Sequence, residues 1–178
     1  QLQYPNLEAK RECDMKGRIS SKELREYRRR QFLILPKNPT HTVTIMIGLP
    51  GSGKSTIAKS LNLPIISRDD IITEMFPDKT YNEAYHYIQE NKEHHMAVGF
   101  KFEKEIITAA KEQKDIVIDM TMLSLSSRRS MMAKFPNAKF KAIVVMPPLP
   151  VVKERASKRP GKEMSDKVYE HMLPTFTM

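Results

Sequence analysis

Nine consecutive residues, Gly48-Leu49-Pro50-Gly51-Ser52-Gly53-Lys54-Ser55-Thr56, match the pattern G-x-x-x-x-G-K-[ST] of a phosphate-binding loop. The apolar, β-branched run Thr42–Ile47 comes before them and predicts a buried strand, and the run Thr56–Leu61 predicts a helix after them. This order of strand, glycine-rich loop and helix is the context in which the motif binds phosphate. The sequence therefore predicts a nucleoside triphosphate site, in preference to a glycine-rich turn that binds no nucleotide.

The residue types of this loop follow from what a phosphate cradle needs. Glycine lets backbone N–H groups turn toward phosphate oxygens, and the N-terminus of the following helix adds a partial positive charge. Lys54 is expected to reach the β- and γ-phosphates, and the Ser55 hydroxyl is expected to bind Mg²⁺. The residues expected to hold the nucleotide are Gly48, Pro50, Gly51, Ser52, Gly53, Lys54, Ser55 and Thr56.

Composition narrows the class of protein. The 178 residues suffice for one domain with a sizeable core, and 30 Lys and Arg against 21 Asp and Glu give a net charge of +9. This excess suits a polyanionic partner such as DNA or RNA, although a generically basic protein has the same composition. No apolar run is long enough to span a membrane, and the single cysteine, Cys13, indicates a reducing, cytoplasmic compartment.

Two parts are expected along the chain: a basic N-terminal appendage, residues 1–40, and a P-loop domain, residues 41–178. The appendage has ten Lys or Arg and five Asp or Glu, which gives it a net charge of +5. Ser20 and Glu23 match a capping box at the start of a predicted helix with a strongly basic face. That helix either lines a nucleic-acid groove or packs on the core as a solvated helix.

After residue 41, apolar runs alternate with helical patterns, which is typical of a doubly wound α/β fold with a mostly parallel sheet and helices on both faces. Further strands are predicted over Leu63–Ser67, Asp115–Asp119 and Phe140–Met146, and their near-continuous hydrophobicity predicts burial on both faces. One helical stretch is predicted over 82–113. Its residues expected to face the core are Ile88, Met96, Phe100, Phe102, Ile106 and Ile107.

Ser67-Arg68-Asp69-Asp70 ends the second predicted strand, and ligands of such folds bind at the carboxyl ends of the strands. A carboxylate there can take the proton of an acceptor hydroxyl whose oxygen attacks the γ-phosphate. We expect Asp69 to be this base, with Arg68 and Asp70 near the substrate. Alternatively, Asp70 caps a helix that starts at Ile71, or both aspartates are only caps.

Asp119 ends the third predicted strand, where many P-loop proteins place the acid that holds a Mg²⁺-bound water. Ser55 and Asp119 are therefore the expected metal-binding residues. Thr121, Arg128 and Arg129 follow and are candidates for substrate binding. The two arginines can equally belong to the surface of a helix that begins near Ser126.

A lid is predicted over residues 151–162, after the break forced by Pro147-Pro148-Leu149-Pro150. Arg155 and Arg159 lie four residues apart and share one face of a helix, so they can clamp the triphosphate and neutralise charge on the transferred group. Pro160-Gly161 ends the helix and gives the lid flexibility. A plain surface helix is the alternative.

The order and spacing of four segments resemble the phage-type polynucleotide 5′-kinase family. The first motif occurs in many NTPases, whereas its combination with R-D-D and R-x-S-K-R is far more specific. The similarity extends over about residues 41–175 and includes a closing helix near Met164–Met172. The matching segments are Gly48–Thr56, Ser67–Asp70, Asp119–Leu123 with Arg128 and Arg129, and Arg155–Arg159.

This resemblance implies a kinase that uses ATP and Mg²⁺ to phosphorylate the 5′-hydroxyl of DNA or RNA. It implies Asp69 as general base and Arg159 as the main transition-state arginine, supported by Arg155. The family has an arginine three residues after the catalytic aspartate, where it helps to hold the acceptor's phosphate, and this chain has Ile72 there. The acceptor can therefore also be a hydroxymethylated base in DNA, a nucleoside or a small alcohol. A third hypothesis is a non-catalytic nucleic-acid-binding module that is gated by nucleotide.

Overall fold

A computed structural model describes residues 38–177, and the predicted basic helix of the appendage lies outside them. Within this range, four parallel strands form one sheet in the order β2-β3-β1-β4. Their bounds are His41–Ile47 for β1, Ile65–Ser67 for β2, Ile116–Asp119 for β3 and Ala138–Val144 for β4. The predicted α/β class with a parallel sheet is thus confirmed, whereas the boundary near residue 40 stays a prediction.

Seven α-helices connect and cover these strands in the described part of the chain. They are α1 Lys54–Ser60, α2 Arg68–Met75, α3 Tyr81–Glu90, α4 Lys92–Glu112, α5 Leu125–Met132, α6 Leu149–Ser157 and α7 Asp166–Met172, followed by a 3₁₀ turn over Leu173–Thr175. Among the helices between residues 38 and 177, none combines the length and the apolar character that a membrane span requires.

Alternating side chains of β1 and β3 build a core on each face of the sheet, as the predicted doubly wound arrangement requires. Ile45 and Ile118 belong to the larger core, which also contains α4, whereas Met46 and Val117 belong to a smaller one that contains Ala58 of α1. Because both faces are covered, these two central strands are continuously apolar.

The prediction of burial on both faces is wrong for β4. This strand pairs with β1 and ends the sheet, and its exposed residues include Lys139, Lys141 and Val144. It also begins two residues before the predicted start at Phe140, because the parallel pairing with β1 extends back from Phe140 to Ala138 beside His41. An apolar run did not distinguish a central strand from this edge strand.

The single helix predicted over 82–113 is two helices, α3 and α4. They meet at Asn91, whose extended backbone breaks the helix and whose Oδ1 accepts hydrogen bonds from the N–H groups of Glu93 (3.0 Å) and His94 (3.2 Å). A short polar side chain that satisfies the first free N–H groups of a helix favours a new start over continuation. The second helix ends at Glu112 because Gln113 adopts a left-handed conformation, with φ of 50°.

Burial on α3 and α4 also corrects the predicted core. Ile88, Phe102 and Ile106 are buried as expected. Met96, Phe100 and Ile107 are exposed instead, by 63%, 73% and 51%. These three positions fall on one stripe of α4 that faces away from the sheet.

Two adjacent isoleucines of α4 test this assignment. We expect Ile106→Ala to lower the free energy of unfolding by about 2–5 kcal/mol, because Ile106 is fully buried. Ile107→Ala is the matched control in the same helix and should change it by no more than about 0.5 kcal/mol. Urea unfolding of both variants provides the measurement, and equal losses would contradict the assigned faces of α4.

Candidate active site

The glycine-rich loop lies against two backbone carbonyls. A side chain at Gly48 would put its Cβ 2.2 Å from the carbonyl oxygen of Val145, and one at Gly51 would put it 2.8 Å from that of Val152. The Gly48 N–H donates to the Thr121 carbonyl at 3.1 Å, which ties the loop to the end of β3. Because Gly51 also has φ of +83°, a conformation that side chains disfavour, only glycine suits this position.

Two polar side chains of the loop have unused hydrogen-bonding capacity. Lys54, the first residue of α1, is buried and donates from Nζ to the Leu49 carbonyl at 2.8 Å. Burial lowers the pKa of the Lys54 ammonium, and Asp119 and Asp69 act against this shift. The buried Ser52 Oγ has no hydrogen-bond partner among residues 38–177. A triphosphate would supply the acceptors that these groups lack, so the loop fits that ligand.

Asp69 and Asp119 converge because β2 and β3 are parallel and in register, with Ser67 beside Asp119. The helix α2 begins immediately after β2, at Arg68, and the Ser67 Oγ accepts a hydrogen bond from the Asp70 N–H at 3.3 Å. The prediction that Asp70 caps a helix starting at Ile71 is therefore wrong. Ser67 is the cap, and Asp70 lies exposed in the first turn.

The Asp69 carboxylate has a partner on each oxygen. The Tyr81 hydroxyl donates to Oδ1 at 2.9 Å, and the Lys162 ammonium forms an ion pair with Oδ2. Burial raises the pKa of Tyr81 above its usual range, and the neighbouring Asp69 raises it further. Tyr81 therefore remains a hydrogen-bond donor to Asp69 at any physiological pH.

The lid, residues 151–162, brings three cations to the same place. Its helix α6 begins earlier than expected, at Leu149, with Pro150 in the first turn. Proline is tolerated there because the N–H groups of the first turn have no intrahelical acceptor. Arg155 donates from Nη1 to the Ser52 carbonyl at 3.3 Å, so it lies over the loop. Arg159 and Lys162 follow the helix and line the same cavity.

This cavity has a volume of about 730 Å³ and brings together most of the predicted site residues. The loop, the strand ends and the lid each contribute to its wall. The predicted residues that line it are Pro50, Gly51, Gly53, Lys54, Ser55, Thr56, Arg68, Asp69, Asp119, Thr121, Arg155 and Arg159.

Five predicted site residues do not line the cavity: Gly48, Ser52, Asp70, Arg128 and Arg129. Gly48 and Ser52 still belong to the loop. Arg128 instead donates to the carbonyls of Met122 (2.9 Å) and Leu123 (2.7 Å) and to that of Thr177, so it braces the segment after β3. Arg129 lies in the last turn of α5.

Several cavity residues were not predicted from the sequence: Tyr81, Asn82, Tyr85 and His86 of α3, together with Lys162 and Met164. One signal pointed to the first of them. Thr80 and Glu83 match the capping-box pattern, and both reciprocal hydrogen bonds are present in the structure. The pattern therefore fixes the start of α3 at Tyr81, but it contains nothing about the distance to Asp69.

A family model described as an AAA domain matches residues 43–178. The chain belongs to the AAA domain family. No curated protein sequence gives a significant match. Family membership, the parallel sheet and the phosphate cradle together identify a P-loop NTPase fold.

Solved structures share the fold. A chain of the Pnkp1/Rnl/Hen1 RNA repair complex is 23% identical with a TM-score of 0.61, over 75% of this chain and 43% of that chain. A chain in a second structure of the Pnkp1/Rnl/Hen1 complex is 23% identical with a TM-score of 0.54, over 73% of this chain and 45% of that chain. An unliganded sugar kinase from Janibacter sp. HTCC2649 is 20% identical with a TM-score of 0.50, over 78% of each chain. The chain thus spans less than half of the matched chains of the RNA repair complex, and these identities show the fold alone.

Substitution of Gly51 tests the packing of the loop, with a glycine of α4 as the control. We expect Gly51→Ala to lower the affinity for a non-hydrolysable ATP analogue at least about tenfold, because a left-handed alanine costs about 1–2 kcal/mol and its Cβ would also meet the Val152 carbonyl. The control is Gly99→Ala in α4, where a Cβ meets no atom within 4 Å and should stabilise the helix by about 0.5–1 kcal/mol. Calorimetric titration measures the affinities. Unchanged binding to Gly51→Ala would mean that the cradle tolerates a side chain.

Proposed function

We propose that this chain is a polynucleotide 5′-hydroxyl kinase, which transfers the γ-phosphate of ATP to a 5′-end of DNA or RNA. The observation that carries the proposal is that the phosphate cradle, the Asp69 carboxylate and the lid arginines share one cavity, whose remaining wall includes the aromatic rings of Tyr81 and Tyr85. A triphosphate would fill the cradle side and leave the side near Asp69 and α3 for the acceptor.

In the proposed transfer, the acceptor oxygen bonds to the γ-phosphorus while the bond to the bridging oxygen breaks, and ADP leaves with that electron pair. Asp69 takes the proton of the hydroxyl. Lys54 and Arg159, with Arg155 over the loop, neutralise the charge that develops on the transferred group. Mg²⁺ would be held by the Ser55 hydroxyl and, through water, by Asp119, and it would neutralise further phosphate charge.

The α3 wall supports a nucleic-acid acceptor. The Tyr85 ring is stacked on Tyr81, with 6.1 Å between centroids and 24° between planes, and Tyr85 is 43% exposed. An exposed ring of this kind can stack on a base. Beside it, the buried Nε of Arg68 has no hydrogen-bond partner in the described part of the chain, so its guanidinium can bind an acceptor phosphate. Thr121, which also lines the cavity, is the further candidate for contact with the substrate.

One observation favours a different acceptor. Ile72, which occupies the position of the arginine expected from the resemblance, is 2% exposed and contributes an apolar surface to the cavity. A modified base, a nucleoside or a small alcohol would need no cation at that point. The non-catalytic module is the remaining alternative, and it would bind ATP without transferring phosphate to any acceptor.

An acceptor screen with γ-labelled ATP separates these functions. We expect label on 5′-hydroxyl oligonucleotides, and we expect Tyr85→Ala to raise their KM about 5–100-fold, because loss of one base stack costs about 1–3 kcal/mol. The KM for ATP should stay unchanged, and Tyr85→Phe should retain the wild-type KM for the oligonucleotide. Label found on sugars or nucleosides alone would contradict the polynucleotide proposal.

Two cations of the cavity, Lys54 of the loop and Arg159 of the lid, test the electrostatic roles. We expect Lys54→Ala and Arg159→Ala each to lower kcat at least about a hundredfold, the scale for losing one preorganised charge at the reacting group. The control is Lys158→Ala, because Lys158 is exposed and its ammonium bonds to Glu154 at 2.6 Å rather than lining the cavity. Its kcat should remain within about twofold of wild type. A similar loss in all three variants would mean that overall positive charge, and not the position of each cation, supports the transfer.

A further inference from the structure

Lys162 lies at the centre of a small network in the cavity. Its ammonium pairs with Asp69 and lies 3.8 Å from the centroid of the Tyr81 ring. Its side chain is only 16% exposed, whereas the carboxylate of Asp69 is 50% exposed. The cation is thus held by an anion and an aromatic face together, and the proposed base is neutralised before any nucleotide binds.

The same ammonium is within electrostatic reach of the phosphate cradle. Burial is the main cause of the lowered pKa of Lys54, and the positive charges of Arg159 and Lys162 lower this pKa further. All three cations line one cavity. The terminal phosphate of a triphosphate in the loop would therefore lie among these charges and compete with Asp69 for Lys162.

The backbone around Lys162 is fixed, so a change of partner needs only its side chain to move. The Asn82 N–H donates to the Gly161 carbonyl at 2.8 Å, and the Asn82 Nδ2 donates to the Glu163 carbonyl at 3.2 Å. A Cβ at Gly161 would lie 2.7 Å from that of Thr80, so the turn is packed directly on the start of α3. The flexible four-carbon stem of a lysine can redirect its ammonium from such an anchor.

We infer that Lys162 is a further catalytic residue, which pairs with Asp69 in the empty site and with the terminal phosphate once a nucleoside triphosphate binds. The exchange leaves Tyr81 as the donor that orients Asp69, and it frees Oδ2 for the acceptor hydroxyl. It also adds a further cation, beside Lys54, Arg159 and Arg155, to those that neutralise the transferred phosphoryl group. The base is thereby available when a γ-phosphate is present and blocked when only ADP is bound.

This inference rests on the proposed function insofar as a triphosphate occupies the loop, and its test needs no acceptor. Affinities for ADP and for the β,γ-imido analogue of ATP, each with Mg²⁺, are measured by calorimetry on the full chain. We expect Lys162→Met to weaken binding of the analogue at least about tenfold, the value of a charge-assisted hydrogen bond, and to leave ADP binding unchanged. Lys162→Arg should restore most of the loss, and Lys158→Met, elsewhere on the lid, should have no effect.

A double-mutant cycle with Asp69→Asn separates partner exchange from general electrostatics. If Lys162 must leave Asp69, then Asp69→Asn tightens binding of the analogue in the wild-type background and has no such effect in the Lys162→Met background. A long-range charge effect would instead persist in both backgrounds and would overturn the inference. Thermal melts confirm that each variant is folded.

The outcomes distinguish the two proposals. If the wild-type chain binds neither nucleotide, the proposed function is wrong, and the inference falls with it. If Lys162→Met keeps the wild-type preference for the analogue over ADP, the inference alone is overturned.

Discussion

The rest of the site depends on the close approach between the glycine-rich loop and the carbonyls of Val145 and Val152. The first carbonyl follows β4, and the second belongs to α6, so the loop is held between the sheet and the lid helix. Because the packing is backbone against backbone, it has little tolerance for displacement. The same contact that shapes the phosphate cradle therefore sets the position of Arg155, whose guanidinium bonds to the carbonyl of Ser52.

Positive and negative side chains are concentrated in one cavity, where the repulsion among like charges has to be offset. Lys54, Arg159 and Lys162 would repel one another in the absence of phosphate, and Asp69 and Asp119 compensate part of that repulsion. The ion pair between Asp69 and Lys162 is thus favourable in the empty site. In the proposed exchange, the same ion pair would make the proposed base dependent on the arrival of a competing anion, which would link the two halves of the cavity through one side chain.

The proposed acceptor side of the cavity differs in kind from the nucleotide side. The cradle is built from backbone groups and follows from the fold, which structures with different printed functions share. The proposed acceptor side is built from side chains of α3 and α2, among them Tyr85, Arg68 and Ile72. Substrate choice in this architecture therefore depends on residues that the fold does not constrain, which is why fold similarity by itself leaves the acceptor undetermined.

Local sequence patterns were enough to predict the α/β class, the phosphate loop and the carboxylates at the strand ends, because hydrophobic period, glycine spacing and position after an apolar run encode each of them. These patterns did not predict the break at Asn91, the edge position of β4 or the hydrogen bonds from Arg128 to backbone carbonyls. Each of these features depends on which neighbouring groups are available as partners in the folded chain. Only the tertiary structure placed Tyr81 and Lys162 on Asp69, residues 12 and 93 positions away in the chain. Contacts over such separations arise from packing of the lid on α3 and leave no periodic signal in the sequence.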